Sequence, residues 1–245
     1  MAKNGLEDQA DALSGPFSQS SDEVMDPYKS LEIGATDKDK ILWSGRIISV
    51  QPRIRLLRSF DQRSHSYLGY VLQVQGMITG EERTLVIGIG KGAQAKHHFQ
   101  AGDSVSGKSE VVSDARTEVA EYYKTSELRL IEREEKLGDS PPPWHGSAPE
   151  LEIYRQRGHR RLDARTYEGK CVTCIWGCRM AVEMIIDQWN PRKKQYRFET
   201  FCYGPKSCSL YKAGPTRKVP GRKGMVWEEE DWVDEEAVSH RGMDD

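Results

Sequence analysis

The stretch ISVQPRIRL, residues 48–56, alternates apolar side chains at even positions with polar or basic side chains at odd positions. A period of two residues is typical of a half-buried β-strand. Pro52 has no backbone N–H to give to a neighbouring strand, so it indicates a bulge or a sheet edge. We therefore predict that a strand opens the folded part of the chain.

Four further strand patterns follow, and a short helix-compatible run separates the third strand from the fourth. The predicted strands are 68–74, 85–89, 104–112 and 122–131, and the predicted helix is 93–99. This order, together with the turn AGDSVSG at 101–107, resembles the OB-fold, a five-stranded Greek-key barrel. The resemblance covers residues 37–133 and implies that a ligand lies across the second and third strands. Another small barrel or a sandwich would give a similar pattern.

Composition divides the rest of the chain into four segments. Residues 1–36 are acidic and rich in Ser and Gly, so we predict disorder, and 134–150 form a linker with three consecutive prolines. A basic, cysteine-rich module at 151–225 precedes an acidic tail at 226–245. The module predicts a basic helix at 151–165, an amphipathic helix at 179–189 and a strand at 195–201. The predicted fold class is mainly β plus α+β.

The net charge of −2 conceals a strong segregation of charge. Residues 151–225 hold 17 basic and six acidic side chains, whereas 226–245 hold one basic and nine acidic ones. The basic segment suits an anionic partner, or it is neutralised internally by the tail. Trp227 and Trp232 give the tail apolar anchors, so we expect it to dock and to cover the basic face.

All five cysteines lie between Cys171 and Cys208, which favours metal ligation over a disulfide framework and fits a cytoplasmic setting. The C-x2-C pair Cys171 and Cys174, joined by Cys202 and Cys208, predicts a tetrahedral zinc site. Cys178 is then a spare buried thiol. The alternative is a [4Fe–4S] cluster with Cys178 among its ligands. A third reading leaves the cysteines as small buried apolar residues without metal.

Basic side chains interleaved with aromatic ones predict contacts to single-stranded nucleic acid, because charge holds phosphates and rings stack on bases. The first group lies on the first strand and the following loop and comprises Arg53, Arg55, Arg58, Phe60, Arg63 and Tyr67. The second group lies in the cysteine-rich module and comprises Arg160, Arg161, Lys193, Lys194, Arg217 and Lys218.

Catalytic signatures are missing from the sequence. The run GIGKG at 88–92 fits neither a P-loop nor a dinucleotide-binding loop, and no carboxylate pair suggests acid–base chemistry. No apolar stretch is long enough to span a membrane. The sequence thus favours a non-catalytic binder of single-stranded DNA or RNA with a structural metal. An iron–sulfur electron-transfer or redox-sensing protein and an adaptor within a protein complex are the alternatives.

Overall fold

A computed structural model describes residues 40–59, 62–133, 142–229 and 231–245. These residues all belong to one compact unit, Asp37–Asp245. The predicted disorder of 1–36, the first eight residues of the predicted linker (134–141) and the predicted stacking residue Phe60 lie outside the described residues.

The described residues are mainly β, with 48% strand and 16% helix, in agreement with the predicted fold class. The strands are β1 Lys40–Arg58, β2 Arg63–Ile78, β3 Glu81–Ile89, β4 Ser104–Val111, β5 Tyr122–Glu132, β6 Arg160–Arg161, β7 Gly177–Ile185, β8 Lys194–Cys202, β9 Arg217–Pro220 and β10 Val226–Glu229. The helices are α1 Lys91–His97, α2 Leu151–Arg157, α3 Ala164–Thr166 and α4 Trp232–Val238, with a π-helical turn Tyr167–Cys171 and a 3-10 turn Arg222–Gly224. Within this part of the chain, no helix is long and apolar enough to cross a membrane.

The first five strands form a hydrogen-bonded ring in the order β1-β2-β3-β5-β4, with β4 returning to β1. All five strands and the intervening helix α1 confirm the predicted element order. The seam between β3 and β5 is narrow, because its parallel ladder contains only the pair Ile87 and Tyr122. The ring is therefore less regular than a fully closed barrel.

Strand β1 is 19 residues long and belongs to both halves of the molecule. Its beginning, 40–46, pairs with β4, and its end, 55–58, pairs in parallel with β7. The register against β2 shifts between Arg53 and Ile54, next to Pro52, where the sequence predicts a bulge. Beyond this point the sheet continues through β7, β8 and β6, so that eight strands form one mixed sheet.

The predicted amphipathic helix at 179–189 is wrong, because the chain forms strand β7 there. Cys178, Met180, Val182 and Met184 point to one side and are at most 3% exposed. This spacing of two residues matches the pleat of a strand that lies between β1 and β8. Trp189, which the helix would have buried, is 84% exposed.

The predicted basic helix at 151–165 is correct only in its first half. Helix α2 ends at Gly158, whose φ of 65° lies in the left-handed region. A Cβ at this position would approach the carbonyl oxygen of Ala237 to 2.1 Å, so a larger residue would clash with the tail. The strand predicted at 195–201 is confirmed as β8.

A small hydrophobic cluster contains Cys171, Cys174 and Cys202, and a larger one spans the ring and strands β7 and β8. The larger cluster runs from Trp43, Val50 and Leu56 on β1 to Met180 on β7 and Phe201 on β8. The segment 142–150, which precedes helix α2, also packs on the sheet. The Tyr70 hydroxyl donates to the Pro149 carbonyl at 2.8 Å. Burial of this shared apolar surface joins the ring to the strands that carry the cysteines.

An ion pair holds the loop between β4 and β5 against β1. The Arg53 guanidinium donates twice to the Glu118 carboxylate, at 3.0 and 2.5 Å. Burial raises the pKa of Glu118, but the hydrogen bonds and charge of Arg53, together with the backbone N–H groups of Val119 and Ala120, outweigh burial and hold this pKa below its ordinary value. The ionised carboxylate therefore stabilises the fold.

We expect Glu118→Gln to lower the free energy of unfolding at neutral pH by about 3 kcal/mol, because it breaks a mostly buried pair. A carboxyl with a lowered folded pKa stabilises above its unfolded value of about 4.3, and this contribution is lost as the pH falls through the folded pKa. The difference between variant and wild type should thus shrink in urea titrations near pH 3.

The matched control is Glu127→Gln. Glu127 is half exposed and pairs with Lys108 at 2.8 Å on the surface, so its loss should cost less than about 1 kcal/mol. Equal costs for the two variants would contradict the role assigned to Glu118.

Candidate functional site

Four of the five cysteines line one small cavity in the C-terminal half of the chain. Cys171 ends the π-helical turn, Cys174 lies in the following turn, Cys202 ends β8, and Cys208 lies in the loop after it. The cavity measures about 10 Å³, roughly the room for a single water molecule. The structure thus brings together the four cysteines that the sequence predicts as zinc ligands.

The turn from Cys171 to Gly177 is a tight backbone knuckle. The Cys174 N–H donates to the Cys171 carbonyl, and the Gly177 N–H donates to the Cys174 carbonyl, each at 3.0 Å. A Cβ on Gly177 would lie 2.4 Å from the Cys171 carbonyl oxygen. Glycine is therefore required here for the knuckle to fold back on itself.

The side chain of Gln51, on β1, fixes this knuckle. Its Nε2 donates to the carbonyls of Cys171 and Cys174, at 2.9 and 2.8 Å. Its Oε1 accepts a hydrogen bond of 2.6 Å from the Tyr167 hydroxyl. Gln51 and Tyr167 are buried, so these bonds are shielded from water. The sequence pattern places Gln51 on a polar strand face and gives no sign of this role.

The surroundings of the cysteine thiols have two opposing effects on their pKa values: burial raises them, and hydrogen-bond donors lower them. Burial, with a smaller contribution from the neighbouring cysteines, raises the pKa of Cys171 to about 12. Burial also raises the pKa of Cys174 to about 11, although backbone N–H groups of Trp176, Trp144 and Gly177 point at its sulfur and oppose the shift. The Gly204 N–H donates to Cys202 Sγ at 3.3 Å. Without a cation these thiols stay protonated at neutral pH, but hydrogen-bond donors for thiolates are in place.

Cys178 lies apart from this cavity. It sits on β7, is 0% exposed, and donates from its thiol to the Pro52 carbonyl at 3.4 Å. Burial alone raises its pKa well above the ordinary value. In the described residues, no three Cys, His, Asp or Glu side chains lie close enough as placed to hold a metal ion. Cysteine sulfurs move by rotation about χ1, so lining a common cavity is a condition for ligation rather than ligation itself.

The basic residues predicted on β1 are paired within the chain. Arg53 is held by Glu118, and Arg55 donates to the Thr117 carbonyl at 3.1 Å in the same loop. Tyr67 lies beneath the guanidinium of Arg155, 4.8 Å from ring centre to carbon. These side chains face the β4–β5 loop or helix α2.

Four of the residues predicted to contact nucleic acid, drawn from both groups, pair with the acidic tail. Glu229 bridges Arg58 at 3.0 Å and Arg63 at 2.9 Å. Asp231 and Asp234 both accept hydrogen bonds from the Arg161 guanidinium, and Asp234 also accepts the Arg161 backbone N–H at 2.9 Å. Lys218 pairs with Glu228 at 3.2 Å. The tail carboxylates therefore sit on the cations that the sequence predicts for nucleic acid.

The arginines beneath the tail carry more charge than their carboxylates balance. Within the described residues, the ion pairs of Arg58, Arg63, Arg197 and Arg217 involve only Glu199 and Glu229. Arg58 is 3% exposed, and its Nε and Nη1 atoms make no hydrogen bond within the described structure. A buried cluster with excess positive charge attracts an anion.

A groove of about 430 Å³ separates helix α4 from the basic module. Arg160, Lys206 and Tyr211 line one wall, and Asp231 and Asp234 line the other. The Arg160 guanidinium stacks on Tyr211 with 3.8 Å from its carbon to the ring centre. Of the remaining predicted contacts, Lys194 pairs with Glu183 and Lys193 is exposed at the β7–β8 turn.

The tail is docked by its second half. Val238 is 3% exposed, and the buried Arg241 guanidinium donates to the carbonyls of Tyr203 and Gly204 at 3.0 and 3.2 Å. Trp227 and Trp232 are 43% and 56% exposed, so they are not the buried anchors that the sequence suggests. The tail is held by Val238, by Arg241, by the ion pairs and, in its first part, by the antiparallel pairing of β10 with β9.

The chain matches no protein-family model, no curated protein and no solved structure. We therefore derive its function from the cysteine cavity and from the arginine face under the tail.

We expect Arg161→Ala to loosen the tail, because Arg161 is 3% exposed and carries two of its carboxylates. Amide hydrogen exchange across 228–238 should accelerate about tenfold or more, whereas exchange in the ring should not change. Arg116→Ala is the control, since Arg116 pairs with Asp114 on the surface and lies over the ring of Tyr196, and neither partner belongs to the tail. Unchanged exchange in the tail would show that these ion pairs do not hold it.

Proposed function

We propose that this protein is a non-catalytic binder of single-stranded nucleic acid, built from an OB-type ring and a zinc-binding module. In this proposal its acidic tail masks the binding face. The observation that carries the proposal is the pairing of tail carboxylates with Arg58, Arg63, Arg161 and Lys218. We use "masked face" below for these four residues.

Arginine supports this proposal through its geometry. A guanidinium presents parallel N–H donors that fit a carboxylate and a phosphate in the same way. Glu229 lies between two arginines, and Arg161 holds two aspartates, so these carboxylates occupy positions that suit the phosphates of a strand. The tail thus acts as an internal polyanion.

Binding of single strands also requires aromatic rings on which bases can stack, and such a ring lies next to the masked face. Tyr211 lines the groove between α4 and the basic module, with its face turned to Arg160. Single-strand binders combine a cationic track with such rings, on which bases of any identity stack. The expected preference is therefore for unpaired strands with little dependence on sequence.

The strengths of the contacts make exchange of the tail feasible. Lys218 and Glu228 are more than half exposed, and pairs of this kind contribute less than about 1 kcal/mol. A nucleic acid strand offers several phosphates at once and gains from the release of condensed counterions. It can therefore compete with the tail at low salt and lose to it at high salt.

We expect Lys218→Ala and Arg63→Ala to weaken binding of a fluorescent single-stranded oligonucleotide. Each removes one phosphate contact, so the slope of log K against log salt should become shallower by about 0.7 per variant. The control is Lys124→Ala, a similarly exposed lysine paired with Glu110 on the ring. If all three variants have equal slopes, the masked face does not contact phosphates.

Neutralising the mask should have the opposite effect. We expect Asp231→Asn with Asp234→Asn to raise affinity for the same oligonucleotide by about tenfold, since it frees Arg161. Glu235→Gln with Glu236→Gln is the matched control, because it removes two charges from the same helix that form no described ion pair. If both double variants gained equally in affinity, the gain would come from the change in net charge alone, which would contradict masking by Asp231 and Asp234.

A further inference from the structure

We propose that Cys171, Cys174, Cys202 and Cys208 bind a single Zn²⁺ ion, and that Gln51 couples this ion to the β-ring. The inference rests on the zinc-binding part of the proposed function and adds the ligand set, the nuclearity and the link between the two halves. It is independent of whether nucleic acid is the partner.

The small size of the cavity favours a mononuclear site. Four cysteines line a space of about 10 Å³, close to the room for one water molecule. A single zinc ion bound by four thiolates at about 2.3 Å fits such a space after the sulfurs rotate inward. A [4Fe–4S] cluster would bring eight atoms into it and would require the surrounding loops to move apart.

The position of Cys178 argues in the same direction. Its thiol bonds the Pro52 carbonyl within the core of the sheet, away from the cavity. Cys178, which is a ligand of the predicted iron–sulfur cluster but not of the predicted zinc site, therefore does not line the cavity. The four cysteines that do line the cavity form an all-thiolate ligand set, which suits zinc.

Groups around the cavity are arranged to support thiolates. Backbone N–H groups point at Cys174 and Cys202, and Arg160 lies beside Cys202. Zinc bound by four thiolates carries a net charge of −2, which such donors partly offset. On binding, the thiols lose their protons to solvent and no oxidation or reduction takes place.

Gln51 links this site to the ring through a saturated set of hydrogen bonds. Both carbonyls that it holds belong to ligand residues, Cys171 and Cys174. The same residue sits in the middle of β1, four residues before the part of this strand that pairs with β7. Zinc that fixes the knuckle therefore also fixes Gln51 and the adjoining end of β1, which carries Arg58.

The first test is metal analysis of the full-length protein, purified without oxygen or added metal. We expect one zinc per chain, and loss of zinc in Cys171→Ser and Cys202→Ser but not in the control Cys178→Ala. Iron, or no metal, would overturn the proposal. Should the serine variants fail to fold, chelator competition on the wild type replaces them, with one equivalent of zinc released as the expected result.

The second test is Gln51→Leu, with Gln73→Leu on β2 as the matched control. Loss of a group that orients ligands typically lowers metal affinity by about 10- to 100-fold, and hydrogen exchange should rise in 53–58 and in β7. Wild-type zinc affinity and unchanged exchange in Gln51→Leu would refute the coupling while leaving the zinc site intact. Oligonucleotide titration of the wild type then reports separately on the nucleic-acid proposal.

Discussion

Backbone hydrogen bonding along β1 is the constraint on which the rest of the structure depends. Its first half pairs with β4 and closes the ring, and its last residues pair with β7 and carry the sheet into the cysteine-bearing part. A bulge next to Pro52 separates the two halves of the strand. The buried amide of Gln51 lies at this junction and binds the knuckle. A structural change in β1 therefore affects both the ring and the cysteine cavity.

Charge is the second constraint, and it acts across long sequence distances. Arg58 and Arg161 are buried, and an unpaired buried cation would be costly. The tail supplies Glu229, Asp231 and Asp234 to them, so it is part of the fold as well as a cover. Exposed pairs such as that of Lys218 are weak by comparison. The buried ion pairs thus attach the tail firmly, whereas the exposed ion pairs are weak enough for a polyanion to replace.

The errors in reading the sequence have a common cause. Residues 179–189 contain apolar side chains at both helical and strand spacing, and pairing with β1 and β8 decided for the strand. Trp227 and Trp232 are large and apolar but remain half exposed, because Val238 and the arginines provide the docking contacts. Strand β1 in the first case, and Arg58 and Arg161 in the second, lie far away in the chain.

The strands of the ring, the short helix between the third and fourth strands, and the four cysteines that line one cavity could be predicted from the sequence, because periodicity and spacing are local properties. The continuation of β1 into the second half of the sheet and the binding of the knuckle by Gln51 are visible only in the folded chain. Tertiary contacts also keep Cys178 apart and bring tail carboxylates onto three of the predicted arginines, Arg58, Arg63 and Arg161. These are contacts between residues dozens to more than a hundred positions apart, and their energy depends on burial that no local pattern records.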